Sequence, residues 1–240
     1  MNTAQLKYWI KTSHHPIAKS SLMLAKGIST FELPAPKIIF VPIDILRRSI
    51  NTFIHELLRV VYWTPVFKSR SEYAGRKLNL YTGIPQILGP LEITFGDDCR
   101  ISGQTTFSGR NNGRFTPKLE LGSNIDIGWQ TTIAVGKTVT IGDNVRIAGK
   151  AFLAGYPGHP LEAGARSKGF PDNDEQAKDI VLEDDVWLAT NVSVMAGVTI
   201  GKGTIVASGS VVTKSLPCFV LAGGNPAKII RPLQFGDTDA

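Results

Sequence analysis

From Phe95 to Val212 the chain keeps an apolar residue at every sixth position, in four blocks. The blocks are Phe95, Ile101 and Phe107; Leu121, Ile127 and Ile133; Ile141, Ile147 and Leu153; and Leu182, Leu188, Val194, Ile200, Val206 and Val212. In the last block a companion set lies two residues earlier, at Ile180, Val186, Val192, Val198, Thr204 and Ser210, and the residue after each main position is usually small or acidic. Residues two apart share one face of a short strand, and a small residue after them permits a corner. Three such strands per turn close a triangular coil, and stacked coils bury one continuous apolar prism. Fifteen hexads predict about five coils. The strands of a β-sandwich have no reason to hold a fixed six-residue phase, so the expected class is all-β, a parallel β-helix.

Composition agrees with turn-dense β structure: 24 of 240 residues are glycine and charged residues are sparse. Length allows one domain with an appendage. Cys99 and Cys218 have neither metal-site spacing nor the density of a disulfide framework, which predicts a reducing compartment. The opening "MNTAQLKYWIKTSHHPIAKS" lacks the apolar core of a signal peptide, and no run of about 18 apolar residues is present. Charge divides unevenly. Residues 1–90 hold 12 Lys/Arg against 4 Asp/Glu, a net of +8, while residues 91–240 hold 14 against 16, a net of −2. A uniformly basic nucleic-acid binder is not built this way.

The beat fails between Leu153 and Ile180, in "LAGYPGHPLEAGARSKGFPDNDEQAKDI". A stacked prism accepts an insertion where a loop can leave at a corner, and a loop longer than about 12–15 residues in a compact domain is usually functional. This one is rich in Pro and Gly and contains His159, the one histidine of the repeat region. "GYPGHP", the loop, and "VWLATNVSVMAGVTIGKGTIVASGSVVTKSLPCFVLAGGNPAKIIRPL" together resemble the hexapeptide-repeat acyltransferases, in particular the maltose, galactoside and nodulation acetyltransferases and the O-acetyltransferases of polysaccharide synthesis. The resemblance spans roughly residues 83–233. It implies a left-handed sense for the β-helix, against the general right-handed crossover rule. It also implies that His159 is the catalytic base.

A sugar hydroxyl is a poor nucleophile at neutral pH, and a neutral imidazole within hydrogen-bond reach is suited to activate it. The resemblance implies direct attack on the thioester of acetyl-CoA, with a backbone N–H near Thr190 stabilising the oxyanion. By the same route the acyl-CoA contacts fall at Thr190, Ser208, Thr213 and Lys214, with Lys228 and Arg231 toward the phosphates. No metal is implied. A rival acyl-cysteine route needs an activated thiolate near a base, which neither Cys99 nor Cys218 offers by position. Where galactoside enzymes carry a sugar-contacting asparagine this sequence has Gly128, and "VGK" (residues 135–137) replaces their acidic residues. Trp129, Gln130 and Trp187 are candidates to meet a different saccharide, Trp129 being equally a candidate for a subunit interface.

The expected organisation is a basic helical lead-in and cap over residues 1–82, a β-helix over 83–233 with an active-site loop at 155–181, and a C-terminal tail at 234–240. From Ile43 to Val61 the apolar residues follow helical spacing among Arg47, Arg48 and Arg59, with Pro65 ending the helix. Two readings stay open for residues 40–67: a cap on the open end of the prism, or a basic interfacial helix on anionic lipid. The resulting expectation is a cytoplasmic, homotrimeric O-acetyltransferase, peripheral at the inner membrane, acting on a saccharide of cell-surface polysaccharide synthesis. Alternatives are acetylation of an amino sugar, sugar nucleotide or antibiotic, or a non-catalytic solenoid that only binds. A γ-type carbonic anhydrase on the same fold needs three histidines around zinc, whereas His14, His15 and His55 lie outside the repeat.

Overall fold

The computed structural model describes residues 2–234 and divides into two units, residues 1–51 and 52–240. The first unit is helical: α1 (Thr3–Thr12), α2 (Pro16–Ser29) and most of α3 (Lys37–Leu58). Local signals start both short helices. Asn2 and Gln5 form a capping box on α1, and His15 Nδ1 accepts from the Ile17 N–H at 3.3 Å with Pro16 in the first turn of α2.

In the second unit, the end of α3 runs through a π turn (Arg59–Trp63) into α4 (Thr64–Lys68). Pro65 therefore does not end the helical segment; it sits in the first turn of α4, directly after the π turn. Phe67 on α4 is fully buried and packs its ring 5.8 Å from Phe95 and 6.4 Å from Phe107. That is a lid on the first coils of the prism. Burial of this kind stabilises by about 1.5–3 kcal/mol per large side chain.

The prism has three parallel faces. Sheet A orders Tyr73–Ala74, Glu92–Phe95, Lys118–Leu121, Thr138–Ile141, Ile180–Leu182 and Thr199–Ile200. Sheet B orders Asn79–Tyr81, Arg100–Ser102, Asp126–Ile127, Arg146–Ile147, Trp187–Leu188, Ile205–Val206 and Val220–Gly224, with Ala227–Pro232 added antiparallel. Sheet C orders Gln86–Leu88, Thr106–Gly109, Thr132–Val135, Phe152–Ala154, Ser193–Met195 and Val211–Val212. The chain visits A, B and C in turn, so the coils number six rather than about five, and the first strand lies at Tyr73, ahead of residue 83. All fifteen hexad residues are at most 5% exposed. The parallel β-helix is present, but the expected all-β class is met only roughly, because helices precede Tyr73 and a short one, Ala163–Ser167, lies in the long loop.

The corners explain the polar half of the repeat. Where sheet A passes to sheet B, Asp98, Asn124, Asn144 and Asp185 adopt φ between 54° and 60°, a left-handed conformation that Asn and Asp tolerate best among residues with a side chain. Their neighbours stack in register, with Asn144 N–H on Ser123 O and Asp185 N–H on Asp143 O, each at 2.9 Å.

Candidate active site

The features expected from the sequence collect along the two borders of sheet C. On the border with sheet B, successive corners bond directly: Lys150 N–H to Trp129 O at 2.8 Å, Asn191 N–H to Gly149 O at 3.1 Å, and Gly209 N–H to Thr190 O at 3.0 Å. This places Trp129 and Gln130, Thr190, and Ser208 on one exposed ridge. Gly128 is forced to be glycine here, since a Cβ would stand 2.6 Å from Gly149 N. The Trp129 indole lies against Gly149, with Lys150 Nζ 5.0 Å from the ring centroid, so one face of the indole already holds a cation. Trp187 stands on the outer face of sheet B, with Asp185, Ile205 and Phe219 on one side and Gly128, Arg146 and Ala148, next to the Trp129 corner, on the other.

Past that ridge the chain returns along Val220–Gly224 and reverses into Ala227–Pro232. Gly224 N–H donates to Ser210 Oγ at 3.1 Å, and Gly223 pairs with Lys228, so Lys228 lies one strand beyond the Ser208 corner. Arg231 pairs with Leu221, and among the described residues its guanidinium bonds only to the Pro232 carbonyl, at 3.3 Å. Lys214, Lys228 and Arg231 are exposed and have no carboxylate partner among the described residues. Unpaired cations beside a column of exposed corner backbone suit a phosphate-bearing acyl donor with amides along its length. Residues 235–240, most of the expected tail, lie outside the described residues.

On the border of sheet C with sheet A, Thr213 and Lys214 follow Val211–Val212, and two coils earlier the long loop departs after Phe152–Ala154, returning at Ile180. Its stems are fixed: Gly155 N–H donates to Ala134 O at 2.8 Å and Lys178 N–H to Gly155 O at 3.0 Å. Within it, Gly158 takes φ +76° and Pro160 is buried, which presents His159 outward between a turn and an anchor. Glu162 caps the short helix α5 (Ala163–Ser167), and Arg166 donates to the Pro160 carbonyl at 3.1 Å, bracing the segment that follows the histidine. The imidazole is exposed and makes no hydrogen bond or ion pair among the described residues. A base that must meet an incoming hydroxyl needs that freedom.

One member of this assembly was missed in the sequence. Arg110, at the end of Thr106–Gly109 in the preceding excursion, reaches the far side of the His159 loop. It donates from Nε to Asp172 Oδ2 at 2.9 Å, from Nη2 to the Asp172 carbonyl at 2.7 Å, and from Nη1 to Asp174 Oδ1 at 2.6 Å. The Arg110 and Asp172 side chains are 3% and 2% exposed. Burial works against the Arg110 charge, but the hydrogen bonds it donates to Asp174 and Asp172 outweigh this and raise its pKa; in return Arg110 lowers that of Asp174. The fork pins a loop that its stems alone would leave loose. Cys99, by contrast, is buried and its thiol is pushed up by desolvation, which is opposite to what an acyl-accepting thiolate requires.

Comparison with known proteins places this arrangement. Residues 179–214 match the family "Bacterial transferase hexapeptide (six repeats)". Galactoside O-acetyltransferase of Escherichia coli K12 is 33% identical over 148 residues, covering 60% of this chain and 66% of that protein. The Lactococcus lactis galactoside O-acetyltransferase is 30% identical over 154 residues, covering 63% and 69%. The chain thus spans about two thirds of the length of these relatives. A crystal structure of AntD, an N-acyltransferase from Bacillus cereus, in complex with dTDP-4-amino-4,6-dideoxyglucose and coenzyme A, superposes with a TM-score of 0.58. It covers 72% of this chain and 89% of its own at 19% identity, a likeness of fold. The six-residue coil, the loop with its GHP turn and the kinship with an acetyltransferase matched over 69% of its length lead to one conclusion: the chain belongs to the hexapeptide-repeat acyltransferases.

Proposed function

We propose that this protein is an acetyl-CoA-dependent O-acetyltransferase acting on a saccharide hydroxyl, with His159 as general base. The observation that carries the reading is the presentation of His159: an exposed imidazole held between Gly158 and buried Pro160, on a loop pinned by Arg110. The acceptor oxygen bonds to the acetyl carbon, the carbon–sulfur bond breaks, and the hydroxyl proton passes by way of His159 to the departing sulfur. Thr190, Ser208, Thr213 and Lys214 line the donor's path, a backbone N–H near Thr190 faces the oxyanion, and Lys228 and Arg231 meet the phosphates.

The saccharide class rests on the relatives named galactoside O-acetyltransferase. Gly128, which admits no side chain, supports an acceptor other than a free galactoside, and we assign it to cell-surface polysaccharide synthesis. The test is thiol release from acetyl-CoA across a panel of saccharides, with treatment of the product by hydroxylamine. An ester is cleaved and supports the reading; a resistant amide would transfer it to amino-sugar N-acetylation; no release with any acceptor would remove it.

The active unit is a homotrimer in this account. Thr190 and Ser208 stand on one border of sheet C and the His159 loop on the other, so a neighbouring copy completes the site. For location, α3 supports a peripheral contact at the cytoplasmic side of the inner membrane: Ile39, Ile43, Leu46, Ile50, Phe53 and Leu57 are each at least 48% exposed. The arginines of α3 and of the π turn after it are not free, because Arg47 and Arg48 both pair with Asp44 and Arg59 pairs with Glu56. Apolar area rather than charge therefore dominates such a contact, and co-sedimentation with vesicles should depend only weakly on salt. Among the described residues no helix is long and apolar enough to cross a membrane.

A further inference from the structure

Two excursions leave the prism at the same border, from sheet C to sheet A: residues 110–117 after Thr106–Gly109, and residues 155–179 after Phe152–Ala154. The tight turn Gly136–Lys137 lies on the coil between them. Its Gly136 sits directly against Gly155 and Ala177, the two stems of the His159 loop. The two excursions meet across this turn through Arg110, and a cavity of about 190 Å³ remains in the crease, lined by Arg110, Arg114, Phe115, Gly136, Lys137 and Asp174.

The charges in this crease are unequally satisfied. Asp172 is wholly engaged by Arg110, through its carboxylate and its carbonyl. Asp174 takes its short bond, 2.6 Å, from Arg110 and meets Arg114 Nε only at 3.4 Å. Arg114 is 84% exposed at the side chain and lines the crease, so most of its five donors are left to solvent. Lys137 is exposed and has no carboxylate within ion-pair distance among the described residues. Phe115, 80% exposed, stands beside these two cations and offers an apolar ring face. A wall of two under-used cations and one aromatic ring, in a cavity the size of a single sugar ring, fits one kind of guest. We propose that this crease is the acceptor subsite and that it takes an anionic sugar, its carboxylate or phosphate on Arg114 and Lys137 and its ring on Phe115. The inference rests on the saccharide acetyltransferase reading for the identity of the acceptor, because the crease opens at the root of the loop that bears His159.

Both cations are exposed, so Arg114→Gln and Lys137→Met leave the fold intact, which the melting temperature checks. Binding of galacturonic acid, galactose 6-phosphate and galactose is measured by ligand-observed NMR on the full chain without acetyl-CoA; acetyl-CoA binding is measured separately. One or both anionic sugars should bind at least about tenfold tighter than galactose, the scale of one charge-assisted hydrogen bond. The double variant R114Q/K137M should lose that preference, as should the wild type at high salt. The stronger of the two anionic ligands identifies the group. Equal affinity for all three sugars, or a preference that survives the double variant, overturns the proposal. Anionic binding without acetyl-CoA binding would keep the subsite and remove the acetyltransferase reading instead.

Discussion

Replacing Arg110 by methionine keeps most of the side-chain volume and removes a guanidinium that makes three hydrogen bonds to the His159 loop. The consequences follow from burial. Asp172, 2% exposed at its side chain, would be left as an unpaired carboxylate in a closed space, a change that costs about 3–5 kcal/mol. The Asp174 bond contributes little beyond this, since its side chain is 42% exposed and solvent screens it. The prism does not depend on the loop for its core, so the loop should undock and hydrate Asp172 rather than the coils unfolding. At the lower bound, about 3 kcal/mol, the docked-to-open ratio falls by about a hundredfold. Amide hydrogen exchange reads this directly. The Phe170 and Gln176 amides, bonded within the loop, should exchange about a hundred times faster while core strands such as Ser193–Met195 keep their protection. Turnover should fall with acetyl-CoA binding nearly unchanged. Loop protection and activity equal to wild type would refute the argument that this pair positions the loop. Acid gives an independent check. Arg110 lowers the pKa of Asp174 from its ordinary value of 3.8, so the native state binds fewer protons than the unfolded one. That contribution, small because the side chain is partly exposed, is complete above the ordinary carboxylate range and disappears as pH falls through the lowered value.

Phe67→Ala should destabilise the second unit by about 3–5 kcal/mol, because the ring is fully buried against Phe95 and Phe107, and thermal unfolding measures it. Lys228→Ala with Arg231→Ala should weaken acetyl-CoA by at least about tenfold, with less effect on coenzyme fragments lacking the nucleotide; equal weakening for both ligands would return these residues to a structural role. Light scattering should give three copies per particle, and a fully active monomer would contradict the shared site.

Much of this was legible in the sequence, for identifiable reasons. Fifteen hexads were visible because each coil repeats one steric demand, and every predicted core residue is buried. The first coil was not, because it runs through Ala74, Leu80 and Ile87: a small residue, then a seven-residue step across a turn at Thr82 and Gly83 with positive φ. The helices of residues 3–29 had their signals, a capping box at Asn2 and Gln5 and a proline at position 16, but no repeat to draw attention to them. The pairing of Arg47, Arg48 and Arg59 with acids three or four residues away was also readable from spacing. Arg110 was not readable. It lies 62 residues from Asp172 with no periodicity joining them, and its one trace was an acidic "PDNDE" in a loop facing a coil with an arginine just past its strand.

The most direct test of the central claim is the pair of measurements on His159→Ala: acetyl transfer to an accepted saccharide, and acetyl-CoA affinity in the same preparation. The imidazole is exposed and makes no hydrogen bond among the described residues, so its removal leaves the loop and the donor site in place. The account predicts turnover lower by about two to four orders of magnitude with acetyl-CoA affinity within a few-fold of wild type. An alanine variant that transfers acetyl groups at the wild-type rate would contradict it.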